Sequence, residues 1–142
     1  MSPPKCGPLR VYSDGASRGN PGPAAIALKI VDANGYVLKR AATFLGRRTN
    51  NEAEYEALIT ALGLAQTFTD DRVECFLDSE LVVKQLTGEY RVRNPRLETL
   101  WVQVRELQNQ FHEVHFHHIP RTDTNMAEVD KLANRVLDQR YR

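Results

Sequence analysis

The chain has 142 residues, 42% of them apolar and 26% charged, with 19 basic side chains against 18 acidic ones. A domain of this size buries roughly 70% of its unfolded-chain surface, enough for a core without staples. The balance of charge excludes attraction to a polyanion through net charge alone. Two cysteines, Cys6 and Cys75, make neither a disulfide framework nor a metal-ligand spacing, so a reducing, cytoplasmic setting is expected. No apolar run approaches the roughly 18 residues of a membrane span, and the first residues lack the apolar centre of a secretion signal. The expectation is a disordered, proline-rich tail over residues 1–8, a single domain over 9–142, a monomer, and no membrane partner.

Residues 9 to 13 form a first strand that ends on Asp14 and meets the turn-rich run Gly15-Ala-Ser-Arg-Gly-Asn-Pro-Gly22. The Asp14 carboxylate is thereby expected at the carboxyl end of a strand, where open α/β sheets place their ligands. Ala24–Val31 reads as a second strand. Asp32-Ala-Asn-Gly35 then signals a hairpin, because Asn-Gly accepts the positive φ of tight turns, and Tyr36–Leu45 alternates as the third strand of a meander. After a polar break at 46–49, Asn50 or Asn51 can cap a helix running to about Thr67. In it Glu54, Leu58, Ala61 and Ala65 share one stripe, so Glu54 starts on the buried side while Glu52 and Glu56 turn to solvent. A buried carboxylate requires a cation or donors to meet it.

Arg72–Leu77 is a fourth strand and ends in Asp78 as the first ends in Asp14. A right-handed crossover through the intervening helix sets it parallel to strand one, on its free edge. Asp14 and Asp78 then lie together at a topological switch point. Ser79–Leu86, about Pro95–Phe111 and Ala127 to about Gln139 read as helices, and Val114–Ile119 as a fifth strand. Asp130 shares a stripe with Ala133 and Leu137 and so begins near a buried face. Between Lys84 and Arg96 stand four cations (Lys84, Arg91, Arg93, Arg96) against Glu89, either a phosphate-binding patch or a solvated face. His115, His117 and His118 lack the ligand spacing of a zinc site and read as ordinary histidines. Tyr90 and Trp101 read as core or cover.

Four blocks in order carry a family likeness: Asp14-Gly-Ala-Ser-Arg-Gly-Asn-Pro-Gly22, Thr49-Asn-Asn-Glu-Ala-Glu54, Asp78-Ser79 and Asp130-Lys-Leu-Ala133. Over residues 9–138 the chain resembles type 1 ribonuclease H. That resemblance implies a ribonuclease H-like α/β fold, a five-stranded mixed sheet of order 3-2-1-4-5 flanked by helices. It also implies an endonuclease that hydrolyses the RNA strand of RNA–DNA hybrids to 5′-phosphate and 3′-hydroxyl ends, using two Mg²⁺ or Mn²⁺ ions. Carried over residue by residue, Asp14 bridges both metals, Glu54 and Asp78 complete one sphere and Asp130 serves the other. Ser17, Asn20, Asn50 and Asn51 line the minor-groove side, where amide and hydroxyl groups recognise a 2′-hydroxyl without reading sequence, and Thr49 touches a DNA phosphate. Arg91 and Arg93 are the expected phosphate contacts in a chain that lacks the lysine-rich handle of some members. Glu80 stands where many carry Gln. Arg121, in Pro120-Arg-Thr-Asp-Thr124, takes the place of a mobile histidine and is expected to act on phosphate electrostatically.

Overall fold

The computed structural model describes residues 6–140. The elements follow as β1 (Leu9–Ser17), β2 (Gly22–Asp32), β3 (Val37–Arg48), α1 (Asn50–Ala65), β4 (Arg72–Leu77), α2 (Glu80–Leu86), α3 (Pro95–Gln108), β5 (Glu113–His118) and α4 (Thr124–Arg140). They form one sheet of order β3-β2-β1-β4-β5. β1 to β3 pair antiparallel as a meander, whereas β4 is parallel to both β1 and β5. The crossover through α1 therefore carries the chain from one side of β1 to the other, as a right-handed connection requires.

Alternation along β1 divides the interior in two. Leu9 and Val11 face one core with Leu28, Ile30, Tyr55, Leu58 and Leu62, covered by α1 to α3. Tyr12 faces the other with Ala27, Val31, Met126, Val129 and Ala133, covered by α4. The stripe expected on α1 is buried along its length, including Glu54. Truncating a fully buried residue such as Leu58 removes contacts on all sides, at a cost of about 2–5 kcal/mol. Tyr55 is buried as well, and its hydroxyl donates to Gln85 Oε1 at 2.6 Å, linking α1 to α2.

Several boundaries differ from those expected, each for a local reason. β1 does not stop before Asp14 but continues to Ser17, because β2 supplies partners as far as Ser17↔Ala24. The turn is thus confined to Arg18–Pro21, and Asp14 lies inside a strand. Its pairing with β4 ends at Tyr12↔Phe76, so Asp14 still lies just past the carboxyl-end pairing on that side. β3 runs through the supposed break to Arg48, with Leu45 left out of register as a bulge and Gly46 at φ +94° beside it. The cap of α1 is Thr49, not Asn50 or Asn51: its side chain accepts from Glu52 N, and Glu52 Oε1 accepts from Thr49 N in return. Glu52 and Glu56 are accordingly half-buried and engaged, the latter with Arg48 Nε at 2.8 Å. α4 begins at Thr124 because Asp123 Oδ1 accepts from the Asn125 and Met126 amides. Of the expected tail, Cys6 and Gly7 are anchored: the Cys6 amide donates to Phe68 O, and Thr69 Oγ1 donates to both their carbonyls. Residues 1–5 lie outside the described residues.

Candidate active site

Because β1 outruns β4, the flank of Asp14 is open and side chains reach it from three directions. Glu54 arrives from α1, Asp78 from the end of β4, and Asp130 from α4 on the other face of the sheet. Carboxylate oxygens of Asp14, Glu54 and Asp78 lie within 4.8 Å of one another. What lets α1 come so near is Gly15, since a Cβ there would stand 2.2 Å from the Ala53 carbonyl carbon. The same approach lets the Gly15 amide donate to Glu54 Oε1 at 3.1 Å.

The acids are held with few donors. Asp14 is 1% exposed and Glu54 6%, yet both Asp14 oxygens and Glu54 Oε2 are buried without a hydrogen-bond partner. Burial, reinforced by the Glu54 and Asp78 carboxylates, pushes the Asp14 pKa far above the ordinary range. Glu54 is pushed up too, chiefly by burial, against the lowering effect of its contact with Asp14 and of the Gly15 amide. Orphaned buried oxygens on converging acids are the donor set that a hard divalent cation takes, since such ions bind oxygen and bring the missing positive charge.

Arg121 brings a cation to the acids. Its Nε donates to Asp78 Oδ2 at 2.8 Å and stands 3.8 Å from Asp130 Oδ1, so it reaches over the acids rather than pairing with Asp123. A cleft of about 430 Å³ opens here, lined by Ser17, Asn50, Asn51, Glu54, Asp78, Arg121 and Asp130 among others. A second cleft, of about 510 Å³, lies beside it and takes in Asn20, Thr49, Asn51, Glu52, Asn94 and Arg96. The two are joined by a braced turn: Ser17 Oγ donates to Arg48 O at 2.8 Å and to Gly19 O, and the Asn50 amide donates to Asn20 Oδ1 at 3.1 Å.

Most of the residues picked from sequence line these two clefts. Arg91 does not; it borders a separate hollow with Tyr90, Trp101 and Arg105, and Arg93 is exposed nearby. Glu80 is paired with Lys84 one turn on, at 2.8 Å. Tyr90 is 44% exposed, beneath the Lys84 ammonium, and Trp101 donates to Gln85 O as cover for α2. Two lining residues escaped the sequence reading. Asn94 stands out only as the cap of α3, and Asn134 only by its position four residues beyond Asp130, a spacing at which helical side chains meet.

A 3-2-1-4-5 sheet with acids brought to its central strand from both faces is the architecture of the ribonuclease H-like class. A profile of the family described as "Reverse transcriptase-like" matches residues 12–136. The chain is 44% identical to "Ribonuclease HI" of Halobacterium salinarum over 97% of its own length and 68% of that protein's. To a "Bifunctional protein" of Mycobacterium tuberculosis it is 38% identical, over 90% of its length but only 35% of the relative's. Among solved structures, RNase H1 from the halophilic archaeon Halobacterium salinarum superposes with a TM-score of 0.88 at 44% identity, covering 94% of this chain and 99% of that one. LC11-RNase H1 in complex with RNA/DNA hybrid gives 0.87 at 39% identity, with the same coverage of each chain. The chain belongs to the type 1 ribonuclease H family.

Proposed function

We propose that this protein is a metal-dependent endoribonuclease that hydrolyses the RNA strand of RNA–DNA hybrids, with residues 9–142 as its catalytic domain. The observation that carries the reading is the Asp14–Glu54–Asp78 cluster, in which both Asp14 oxygens and Glu54 Oε2 are buried without the donors that a structural role would have supplied. Family membership supplies the substrate class. Mg²⁺ or Mn²⁺ held here, as a pair with substrate bound, would activate the attacking water and stabilise the leaving oxygen.

The chain's own residues do the rest. Asp14 from the central strand, Glu54 from α1, Asp78 from the end of β4 and Asp130 from α4 would hold the metal. Glu54 is fixed by the Gly15 amide and Asp78 by Arg121, so neither swings as charge enters the site. The Arg121 guanidinium keeps its charge across the working pH range and can grip two phosphate oxygens, steadying the scissile phosphate or drawing the product away. Ser17, Asn20, Asn50 and Asn51, with Ser17 held to the Arg48 carbonyl and Asn20 to the Asn50 amide, present hydroxyl and amide groups to the 2′-hydroxyls and base edges of a minor groove. Thr49 and its cleft face a DNA phosphate, while Arg91 and Arg93 add attraction farther off.

The deciding experiment incubates the purified protein with labelled hybrid, double-stranded RNA and double-stranded DNA in Mg²⁺, Mn²⁺ or chelator. Cleavage of the hybrid's RNA strand alone, abolished by chelator, is the expected outcome. Cutting of double-stranded DNA, or hybrid binding without cutting in either metal, would overturn the reading.

A further inference from the structure

Asp130 is set apart from the other three acids. It comes from the opposite face of the sheet, it is not part of the tight cluster of Asp14, Glu54 and Asp78, and its side chain is 26% exposed. An aspartate on a helix has freedom to rotate, and a carboxylate facing three others is pushed away from them when no cation is present. Something must therefore aim it. The Arg121 Nε stands 3.8 Å from its Oδ1, and the direct hydrogen bond comes from the Asn134 side-chain amide: its Nδ2 donates to Asp130 Oδ1 at 3.2 Å and to the Asp130 carbonyl at 3.0 Å. Asn134 itself lines the cleft.

Asn134 is in turn fixed from the substrate side. Arg18, in the turn that carries Asn20 and follows Ser17, donates to the Asn134 carbonyl at 3.3 Å and pairs with Asp138 one turn farther along α4. The turn expected to meet the RNA is thus clamped to the stretch of α4 that orients Asp130. We propose that Asn134 is a positioning residue: its amide holds the Asp130 carboxylate toward Asp14, and Arg18 ties that arrangement to the hybrid-binding turn. The inference rests on the metal-dependent ribonuclease reading above and assigns Asn134 no contact with substrate. Partners that orient a metal ligand from behind commonly contribute 10–100-fold in metal affinity or activity.

The test compares Asn134→Ala and Asn134→Gln with the wild-type protein. Glutamine retains an amide that reaches an acid one helical turn back. Cleavage at saturating hybrid is measured against Mg²⁺ concentration. Separately, hybrid affinity is measured in Ca²⁺ and in chelator, which needs no cleavage because the readout is the gain in affinity that the cation confers. For Asn134→Ala the half-saturating Mg²⁺ concentration should rise about 10-fold, and most of the Ca²⁺-dependent gain should vanish. Affinity in chelator and melting temperature should stay at wild-type values, and Asn134→Gln should recover much of the loss. Wild-type metal dependence in the alanine variant, or a glutamine variant no better than alanine, would overturn the proposal. A lowered melting temperature with unchanged metal dependence would do the same, by assigning Asn134 to helix stability alone. Should the wild-type protein cut no hybrid, the ribonuclease reading falls, and the Ca²⁺ arm still decides whether Asn134 orients a metal ligand.

Discussion

Two clusters of buried charge stand on this sheet and are built in opposite ways. On the α4 side of β2, Lys29 is 9% exposed. Its ammonium donates to Asn125 Oδ1 at 3.0 Å and to Glu128 Oε2 at 2.5 Å, while Arg40 Nε occupies Glu128 Oε1 at 2.7 Å. Every charge there has its complement. Beside β1, Asp14 and Glu54 are buried more deeply and face other acids. A satisfied network holds the fold together, and an unsatisfied one at greater depth is tolerated only where it has another use. If so, substitutions in the first cluster should act on stability and substitutions in the second on chemistry.

The largest separation should come from Asp14→Asn. Hybrid cleavage should fall by about 10³-fold or more, a loss of roughly 4 kcal/mol of transition-state stabilisation, while melting without metal shows a protein as stable as the wild type or more so, because folding no longer has to bury an acid among other acids, either charged against them or at the cost of taking up a proton. Near wild-type cutting in Mg²⁺ would erase the distinction between the clusters. Glu128→Ala is the converse. Leaving Lys29 without its acid should destabilise by about 2 kcal/mol, below the range for a fully buried pair because Glu128 is 33% exposed, with kcat of the folded protein unchanged. Denaturant unfolding together with cleavage kinetics reads both halves of that expectation.

Arg121→Ala tests whether the cation that reaches over the acids works in the reaction. We expect kcat to drop about 10-fold with KM changed far less, the pattern of an interaction made in the transition state or on release, and lysine to restore only part of it. An alanine enzyme with wild-type kcat would leave Arg121 as no more than an ion-pair partner of Asp78. A graded effect follows from pH. In metal-free protein the folded state holds protons on Asp14 and Glu54 above the pH at which the unfolded chain releases them, since both pKa values are raised by burial. The contribution of these two acids to stability is therefore greatest at or below the ordinary carboxylate range and falls as pH rises from there toward the raised values, which the difference between wild type and Asp14→Asn isolates. Thermal melts in chelator should show that fall, Mg²⁺ should oppose it, and Asp14→Asn should flatten it. A metal-free slope of the opposite sign would contradict the account of the site. The smallest effect is expected at Arg91 and Arg93, outside both clusters. Neutralising either should lower the salt dependence of hybrid binding by about one phosphate contact, and an unchanged slope in both variants assigns them to the solvated face.

The sequence made the sheet legible because each of its signals was local and of the right period: alternation in the strands, the Asn-Gly hairpin, and the crossover that sets β4 beside β1. The four acids were legible for a related reason. In the sequence pattern each falls at an apparent strand end or on a helical stripe, where an acid is out of place. What stayed hidden depends on partners distant in the chain. β1 reaches Ser17 only because β2 continues beside it, which the run of turn residues after Asp14 conceals. Thr49 and Glu52 carry the three-residue spacing of a reciprocal cap, but two adjacent asparagines offered an equally good start. Asn134 is an ordinary helical amide until Asp130 is known to face a cleft, and the Arg18 tether crosses 116 residues of chain.

The near contact of β1 and α1 at Gly15 has a consequence for how the protein could be altered. Main chain there rests against main chain, so the separation of Asp14 and Glu54 is set by atoms every sequence shares and already sits at its lower limit. Side-chain changes elsewhere can only leave that gauge alone, whereas any residue with a Cβ at position 15 acts as a shim, driven 2.2 Å from the Ala53 carbonyl carbon. Gly15→Ala therefore offers a mechanical adjustment. It would widen the jaw proposed to hold the metal while keeping every acid, and the resulting change in preference between small Mg²⁺ and larger cations would measure how closely the jaw fits such an ion.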